Sequence, residues 1–353
     1  MASAQNLKEA AIYGWSRARS LGFFAESLLL RGSARKLFGR RPPVELDRAT
    51  ILELDSRLRQ LLKEDAAQIA AGLLPVSALK PEKPWSHLRR IPKLIGDGLA
   101  IEIRRKRGRT AEFEKRAKEY LEELPRYYRR NFHFQTDGYL SEASAELYDH
   151  QVEILFQGTA DAMRRLILRP MKEHFGGSDG KGLRILEIGA GTGRATRFTR
   201  LAFPKAKITA LDLSDPYLKT AQRKLGDLPR IDFVQGDGGA LPFQDQGFDA
   251  VYSVFLFHEL PLEARNDVLR ESMRVLKPGG FFGMVDSAQK KDVPGFEDVL
   301  DAFPQEFHEP YYRNYIDTPM EDLVRGAGYG PLGSKLGFFS KCVWGSRSAT
   351  PIA

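Results

Sequence analysis

The clearest chemical signature in the sequence is a set of three closely spaced glycines after a short apolar run. Gly189, Gly191 and Gly193 alternate with other residues, and Glu187 stands two positions before the first of them. Glycine lets the backbone turn tightly and approach a bound molecule that a side chain would exclude. Arg194 occupies the place where a dinucleotide-binding G-x-G-x-x-G motif has its third glycine. The pattern therefore disfavours a nicotinamide-dependent oxidoreductase, and Glu187 suits a cofactor with a cationic amino-acid end.

A second acidic residue follows at a spacing that suits a ribose. Asp212 ends the next apolar run, 21 residues after Gly191, and Leu213 follows it directly. A carboxylate at the end of a parallel strand can accept hydrogen bonds from both hydroxyls of a ribose. The expected cofactor therefore carries a ribose as well as a cationic end.

These motifs and their order resemble class I methyltransferases that use S-adenosylmethionine (SAM), in particular the branch of ubiquinone and menaquinone biosynthesis. The segments that carry the resemblance are Leu186–Arg194, Gly236–Gly238, Leu241–Phe243, Phe248–Val251 and Arg274–Gly280. The resemblance implies that SAM is the cofactor, that Glu187 helps to hold its methionine moiety and that Asp237 reads the adenine amino group. The cofactor-binding residues predicted in this way are Glu187, Gly189, Gly191, Gly193, Asp212, Leu213, Asp237 and Gly238.

Methyl transfer from a sulfonium requires little chemistry from the protein, because the methyl group is already activated. The protein must align the acceptor, exclude water and, where the acceptor is protonated, remove a proton. His258 and Glu259 follow the fourth predicted strand, and the resemblance implies that this loop lies beside the transferred methyl group. Both are predicted as catalytic residues, with His258 as the candidate base. The alternative is a histidine that packs against its surroundings or caps the next helix.

A polar and aromatic segment precedes the first predicted strand. Its candidate substrate-contacting residues are His133, Tyr139, Tyr148 and His150, because such side chains suit a lined pocket and related enzymes often use this element as a lid. Packing between domains is the alternative. A metal site made of His133, Asp137 and His150 is disfavoured because their spacing matches no known ligand pattern, so no metal is predicted.

The elements that position these residues differ between the two parts of the chain. Residues 1–130 show helical periodicity, with helices predicted over Leu7–Leu30, Leu46–Ala71 and Glu112–Glu123 and a proline-rich connection over Pro75–Pro92. From Leu183 onward, short apolar runs alternate with helical ones, which is typical of a parallel sheet. The predicted strands are Arg184–Ile188, Lys207–Leu211, Ile231–Gln235, Asp249–Phe255, Phe281–Asp286, Leu332–Leu336 and Phe338–Gly345.

The pattern of elements predicts an α/β fold with an N-terminal helical domain. Residues 175–353 are expected to form a Rossmann-like, seven-stranded class I methyltransferase sandwich that binds SAM. Residues 1–130 form the basic helical domain, to which the sequence assigns no role, and residues 131–174 form a linker or lid.

Charge is distributed unevenly between these parts. Residues 1–130 contain 28 Lys and Arg against 16 Asp and Glu, a net charge of +12, whereas the remainder has a net charge of −4. The amphipathic first helix, with Trp15, Phe23 and Phe24, and the run Arg104–Arg109 suit an anionic membrane surface. A basic face that is merely solvated is the alternative.

Two absences narrow the choice of substrate. Cys342 is the single cysteine, which excludes an intrachain disulfide and the two-cysteine mechanism of RNA cytosine C5 methylation. Phe255–Leu260 stands where enzymes that methylate nucleobase amines have an Asn/Asp-Pro-Pro-aromatic motif. A nucleic-acid partner is therefore disfavoured.

Targeting signals are weak. No apolar run approaches the ~20 residues of a membrane span, and Glu9 and Glu26 argue against an organellar transit peptide. A cytoplasmic protein is expected, with peripheral attachment to a membrane as a further expectation.

The combined interpretation is methyl transfer from SAM to a small, hydrophobic acceptor of quinone-, polyketide- or lipid-like chemistry. One alternative is a methyltransferase that acts on a protein or RNA recruited by the basic N-terminal part. The other is a SAM-binding protein that no longer transfers methyl groups. The sequence predicts neither the methylated atom nor the oligomeric state.

Overall fold

The computed structural model describes residues 2–39, 44–80, 84–122 and 124–348. The chain divides into two compact units. The helical unit comprises residues 1–162 and 301–309, and the sheet unit comprises residues 163–300 and 310–353.

The helical unit is built on long helices. Its elements are α1 (Ala2–Phe38), α2 (Arg48–Ala70), α3 (Pro84–Arg107), α4 (Lys115–Leu121) and α5 (Glu142–Leu155), with 3-10 turns at Val76–Leu79, Arg126–Tyr128 and Phe132–Phe134. None of the helices in the described ranges is long and apolar enough to span a membrane.

Capping and apolar spacing explain where these helices form. The Asp47 carboxylate accepts a hydrogen bond from Thr50 N at 2.7 Å and so caps α2. Leu58, Leu61 and Leu62 are buried on one face of α2, at the three- and four-residue spacing of a helix that packs on one side. The helix predicted over Leu46–Ala71 is confirmed with nearly the same bounds.

Two predictions for the helical unit were wrong in detail. The proline-rich segment Pro75–Pro92 is not one long connection, because α3 begins at Pro84 and continues through Pro92. Proline is well tolerated at the first helical position, where no intrahelical N–H bond is needed. The helix predicted over Glu112–Glu123 starts later, since Glu114 is its N-cap, and Glu123 lies outside the described residues.

The basic run Arg104–Arg109 is less available to a partner than its sequence implied. Arg104 is buried and donates hydrogen bonds to Phe134 O and Thr136 Oγ1, while Arg105 pairs with Glu102 at 2.7 Å. These arginines stabilise the helical unit from within, because each buried acceptor they satisfy would otherwise lose its hydrogen bond to water.

The sheet unit contains a seven-stranded mixed sheet in the order β3-β2-β1-β4-β5-β7-β6. β5 pairs antiparallel with β7, and β7 pairs antiparallel with β6. The strands are β1 (Arg184–Ile188), β2 (Lys207–Asp212), β3 (Ile231–Gln235), β4 (Phe248–Val254), β5 (Leu276–Ser287), β6 (Gly333–Gly337) and β7 (Ser340–Ser346). The predicted strands and the Rossmann-like, seven-stranded fold are confirmed.

Helices of the sheet unit connect the strands. They are α7 (Leu168–His174), α8 (Arg194–Ala202), α9 (Asp215–Leu225), α10 (Leu262–Val275), α12 (Tyr312–Asp317) and α13 (Met320–Gly326). Two further helices, α6 (Ala160–Arg164) and α11 (Glu297–Phe307), each span a boundary between the two units in sequence. β1, β2 and β4 are almost entirely buried, as strands of a parallel sheet are when helices cover both faces.

The chain order of the strands reverses at β1, which lies between β2 and β4. Ligands of open α/β sheets bind outside the carboxyl ends of the strands at such a point. A ligand is therefore expected to bind at the loops after β1, β2 and β4.

The units do not follow the boundaries predicted at residues 130 and 174. Residues 131–162 pack with α1 and α3: Arg19 on α1 forms an ion pair with Glu153 on α5 at 3.1 Å and donates to Gly158 O. Contacts across so long a stretch of chain cannot be read from local composition.

Candidate functional site

The glycine turn after β1 has a backbone that favours glycine. Gly189, Gly191 and Gly193 have φ angles of +73°, +54° and +77°, a region that other residues rarely adopt. A Cβ at Gly193 would lie 2.6 Å from Leu225 Cδ1, and one at Gly189 would lie 3.1 Å from a Leu256 methyl group. The turn therefore needs glycine for its backbone angles and for close packing.

The end of β2 holds this turn in place. Leu211 O accepts hydrogen bonds from Gly189 N and Ala190 N at 2.8 and 3.0 Å. The Asp212 carboxylate accepts from Gly191 N at 2.7 Å and from Ser214 N at 2.8 Å. Burial raises the pKa of Asp212 to about 6, because its charged form loses water that these amides only partly replace.

Glu187 is buried at the carboxyl end of β1, beneath the turn. One of its carboxylate oxygens accepts hydrogen bonds from Thr196 Oγ1 at 2.5 Å and from the Tyr252 hydroxyl at 2.7 Å. Burial raises the pKa of Glu187 to about 7, despite these donors and the charge of Arg164. A cation bound beside this carboxylate would favour its ionised form.

The other predicted cofactor-binding residues lie after β2 and β3. Leu213 is half-buried, and its carbonyl oxygen accepts a hydrogen bond from Gln235 Nε2 at 3.3 Å. The Asp237 carboxylate accepts from Gly239 N at 2.8 Å. A Cβ at Gly238 would lie 2.6 Å from Ile188 Cγ2, at the end of β1. The structure thus brings the residues predicted from three separate strands to one edge of the sheet.

His258 lies in a 3-10 turn, Phe257–Glu259, just after β4. Its Nδ1 is 2.6 Å from a carboxylate oxygen of Asp286, which is fully buried at the end of β5. The second oxygen of Asp286 accepts from Phe257 N at 2.7 Å. One carboxylate therefore fixes both the turn and the imidazole ring.

This arrangement can support proton transfer. With Nδ1–H donating to Asp286, the neutral imidazole carries its lone pair on Nε2. Nε2 lies 3.7 Å from a Glu259 carboxylate oxygen, and the side chain of His258 is 11% exposed. The alternative of helix capping finds no support, because the N-cap of α10 is Pro261.

Sequence reasoning missed two residues that support this turn. Asp286 stood at the end of a predicted strand, which was the available signal. Arg265 is fully buried on α10 and donates to Phe257 O at 2.9 Å, to Asn314 Oδ1 and to Tyr311 O. Burial lowers the pKa of Arg265 to about 10, so it stays a cation at neutral pH. Its position in a polar helix gave no signal of burial.

The four predicted lid residues lie in the helical unit, in two groups. His133 Nε2 is 2.7 Å from the Tyr139 hydroxyl, and the Tyr139 and Tyr148 rings are in edge-to-face contact. His150 on α5 belongs to a different group, with Glu26 and His87. Among the described residues, His133, Asp137 and His150 do not form a group of mutually close ligand atoms; Asp137 instead accepts a hydrogen bond from Glu114 N. Their role in binding substrate stays a prediction.

Comparison with known proteins agrees with this geometry. Residues 185–280 match the family model of a methyltransferase domain. The chain is 38% identical over 128 residues to the fatty-acid O-methyltransferase of Mycolicibacterium smegmatis, covering 36% of this chain and 45% of that protein. It is 32% identical over 162 residues to the ubiquinone/menaquinone biosynthesis C-methyltransferase UbiE of Methylobacterium nodulans, covering 45% of this chain and 62% of that protein.

A third relative is the phthiotriol/phenolphthiotriol dimycocerosates methyltransferase 1 of Mycobacterium ulcerans. It is 36% identical over 123 residues, covering 35% of this chain and 44% of that protein. The chain thus covers between 44% and 62% of the length of these relatives. Residues 185–280 therefore carry a methyltransferase domain, as the motifs predicted.

The buried carboxyl of Glu187 predicts an unusual dependence of stability on pH. The folded protein binds its proton more tightly than the unfolded chain, since the pKa rises from 4.5 to about 7. Its stabilising contribution is therefore complete below pH 4.5 and is lost as the pH rises through 7. Relative to Glu187→Gln, the wild-type protein should lose up to ~3 kcal/mol of unfolding free energy between pH 5 and pH 8.

Chemical denaturation of both proteins at the two pH values measures this difference. Asp212 titrates in both proteins, so its contribution largely cancels apart from its repulsion of the Glu187 carboxylate. Unfolding free energies of the two proteins that change in parallel with pH would show that Glu187 ionises at its ordinary pKa.

Proposed function

We propose that this protein transfers a methyl group from SAM to a small, lipophilic acceptor. The observation that supports this most is the position of two carboxylates, a glycine turn and an Asp-fixed histidine at the carboxyl ends of adjacent strands. Glu187 and Asp212 flank the turn, while His258 follows the neighbouring strand β4. This is the edge of an open sheet where ligands bind.

The residues present fit SAM. A Cβ at Gly189 or Gly193 would meet neighbouring side chains, so these positions require glycine. The turn is therefore bare backbone, which a ligand can approach closely. Glu187 would hold the cationic amino-acid end, since a cation compensates the desolvation of its carboxylate. Asp212 would accept hydrogen bonds from the ribose hydroxyls, and Asp237 would contact the adenine amino group.

Bound SAM would supply a methyl group on a positively charged sulfur, which would leave as a neutral thioether. His258 Nε2 would accept the proton that the nucleophilic atom of the acceptor loses when that atom bonds to the methyl carbon. Asp286 stabilises the resulting imidazolium through the Nδ1–H bond, and it fixes the direction in which Nε2 points. Arg265 keeps the turn in place through Phe257 O, so the base does not have to be ordered during the reaction.

A lipophilic acceptor is supported by the relatives. Their names state fatty acids, phthiotriol and phenolphthiotriol dimycocerosates, and ubiquinone and menaquinone biosynthesis. Methylation at oxygen and at carbon both occur among them, and a base such as His258 serves either when the acceptor is protonated. A protein or RNA acceptor and a non-catalytic SAM-binding protein are the alternatives that an assay must separate.

We further propose that α3 docks the protein on an anionic membrane surface, where a lipophilic acceptor is present. Trp85, Leu88, Ile95, Leu99 and Ile103 are exposed and recur every three, four or seven residues, which places them on one side of the helix. A continuous apolar stripe of this kind is what interfacial helices bury among lipid headgroups.

Charge favours the same surface. Arg89 and Arg107 are exposed near the two ends of α3, and each basic residue near an anionic surface contributes about 1 kcal/mol. On α1, Trp15, Phe24 and Leu28 are also exposed, whereas Phe23 lies beneath the Arg19 guanidinium. Exposed apolar residues beside basic ones support membrane binding by the basic domain more than they support a merely solvated basic face.

Replacing Asp212 tests the cofactor assignment. Asp212→Asn keeps the size of the side chain but removes its negative charge, which weakens the hydrogen bonds that the ribose hydroxyls would donate to it. The Kd for SAM should therefore rise about tenfold or more. Asp232→Asn on β3 is the matched control, because Asp232 is exposed and pairs only with Lys207 among the ion pairs of the described residues. Calorimetric titration with equal affinity in both variants would refute the assignment.

Replacing His258 tests the base. His258→Gln should lower kcat by ~10²-fold to 10⁴-fold while leaving the Kd for SAM nearly unchanged, because the imidazole acts on the acceptor. His174→Gln is the control, since His174 is exposed and bonds only to a backbone oxygen in the described structure. Wild-type turnover in His258→Gln would remove this histidine from the mechanism.

The acceptor class is tested by transfer of labelled methyl from SAM into a host-cell extract, with Asp212→Asn as the blank. Label in the organic phase is expected. Label in precipitated protein or RNA would replace the lipophilic acceptor, and absence of transfer with intact SAM binding would favour the non-catalytic alternative.

Membrane docking is tested by sedimentation with vesicles of phosphatidylglycerol and phosphatidylcholine. The wild-type protein should bind, more weakly at high salt, and Trp85→Ser/Leu88→Ser should bind about tenfold more weakly because less apolar area is buried. Leu336→Ser is the control, since Leu336 is an exposed apolar residue of β6. Equal binding by the double variant and the control would exclude α3 as the docking surface.

A further inference from the structure

A second group of chemically active side chains lies inside the helical unit, where α1, α3 and α5 meet. Glu26 is on α1, His87 on α3 and His150 on α5. His150 Nε2 is 2.9 Å from one carboxylate oxygen of Glu26. His87 Nε2 is 3.4 Å from the other oxygen. The three residues are distant in sequence, so only the packing of the helices brings them together.

The distances suit a shared metal ion. One ligand atom from each residue lies within 4.8 Å of the other two. Zinc bound tetrahedrally at about 2.0–2.1 Å holds its ligand atoms about 3.3 Å apart. Small side-chain movements would therefore place all three donors around one ion, without any change in the helices.

The donors have the chemistry of a transition-metal site. Two imidazoles and one carboxylate suit Zn²⁺ or a similar ion, whereas Mg²⁺ and Ca²⁺ require mostly oxygen ligands. Imidazole nitrogens bind such an ion in their neutral form and carboxylates in their charged form.

Burial of His150 is unfavourable unless both of its ring nitrogens find a partner. Its side chain is 2% exposed, and within the described ranges its Nδ1 has no hydrogen-bond partner. A buried polar atom left in this way loses the hydrogen bond that it would make with water. The ring lies against His87, with centroids 4.2 Å apart, and against the edge of Phe23, so an apolar residue would pack there at lower cost.

We propose that Glu26, His87 and His150 bind one divalent transition-metal ion, of which Zn²⁺ is the prototype, and that this ion joins α1, α3 and α5. Nε2 of each histidine ligates the ion, and the proton of His150 Nε2 moves to Nδ1, whose lone pair is available. Three protein ligands leave the fourth position to water. The ion contributes to folding, because the unfolded chain holds no preformed site.

The test uses the full-length protein, stripped with a chelator, titrated with ZnCl₂ at pH 7.5 and assayed for bound metal. One zinc per chain is expected, with a rise in Tm and visible absorption when Co²⁺ is substituted. His87→Ala should weaken zinc binding at least tenfold, as should Glu26→Gln. Both are more exposed than His150, so both variants should fold.

His174→Ala is the control, because this histidine is exposed in the sheet unit, and it should bind zinc as the wild type does. Failure of the wild-type protein to bind zinc, or equal binding by His87→Ala and the control, would overturn the proposal and leave a hydrogen-bonded cluster. Neither readout involves SAM or an acceptor, so the result is independent of methyl transfer.

Discussion

The turn after β1 is tied to the end of β2 by backbone hydrogen bonds, and the candidate site depends on this connection. Leu211 O receives two amides of the turn, and the Asp212 carboxylate receives a third, Gly191 N. Glycine loses more conformational entropy on folding than any other residue, so hydrogen bonds from the neighbouring strand are needed to hold the turn in one conformation. The residue that restrains the turn, Asp212, is also the one proposed to bind the ribose.

Buried carboxylates recur along this edge, and each one is placed at the end of a strand. Glu187 is the penultimate residue of β1 and bonds to two hydroxyl donors, Asp212 ends β2 against amides, and Asp286 lies near the end of β5 against an amide and an imidazole. Desolvation destabilises the charged form of such groups. The cost is offset when a cation or hydrogen-bond donor arrives, which is how binding energy can be concentrated at a site.

The helical unit solves a different physical problem. Its helices bury arginines and histidines that a small core would normally exclude, and these side chains bond to backbone oxygens or to carboxylates. Meanwhile, apolar residues such as Trp85 and Leu88 remain on the surface of α3. A contiguous set of exposed apolar side chains of this kind commonly marks an interaction site.

The positions of the strands and the glycine turn could be predicted from the sequence, because they rest on local rules. Alternating apolar runs define strands, and a glycine at a positive φ is a property of one position. The same rules failed at Pro75–Pro92, where composition indicated a connection and α3 begins at Pro84. Proline at the first turn of a helix carries no local penalty, so composition alone could not locate the boundary.

Local patterns in the sequence predicted the strands of the sheet and the motifs at their carboxyl ends, from which the site is proposed. Tertiary structure alone decided the pairing of His258 with Asp286, 28 residues away, the burial of Arg265 under that turn and the meeting of Glu26 with His150, 124 residues away. The physical reason is range. Backbone angles and apolar periodicity act over a few residues, whereas a hydrogen bond between distant side chains exists only after the chain has packed them together.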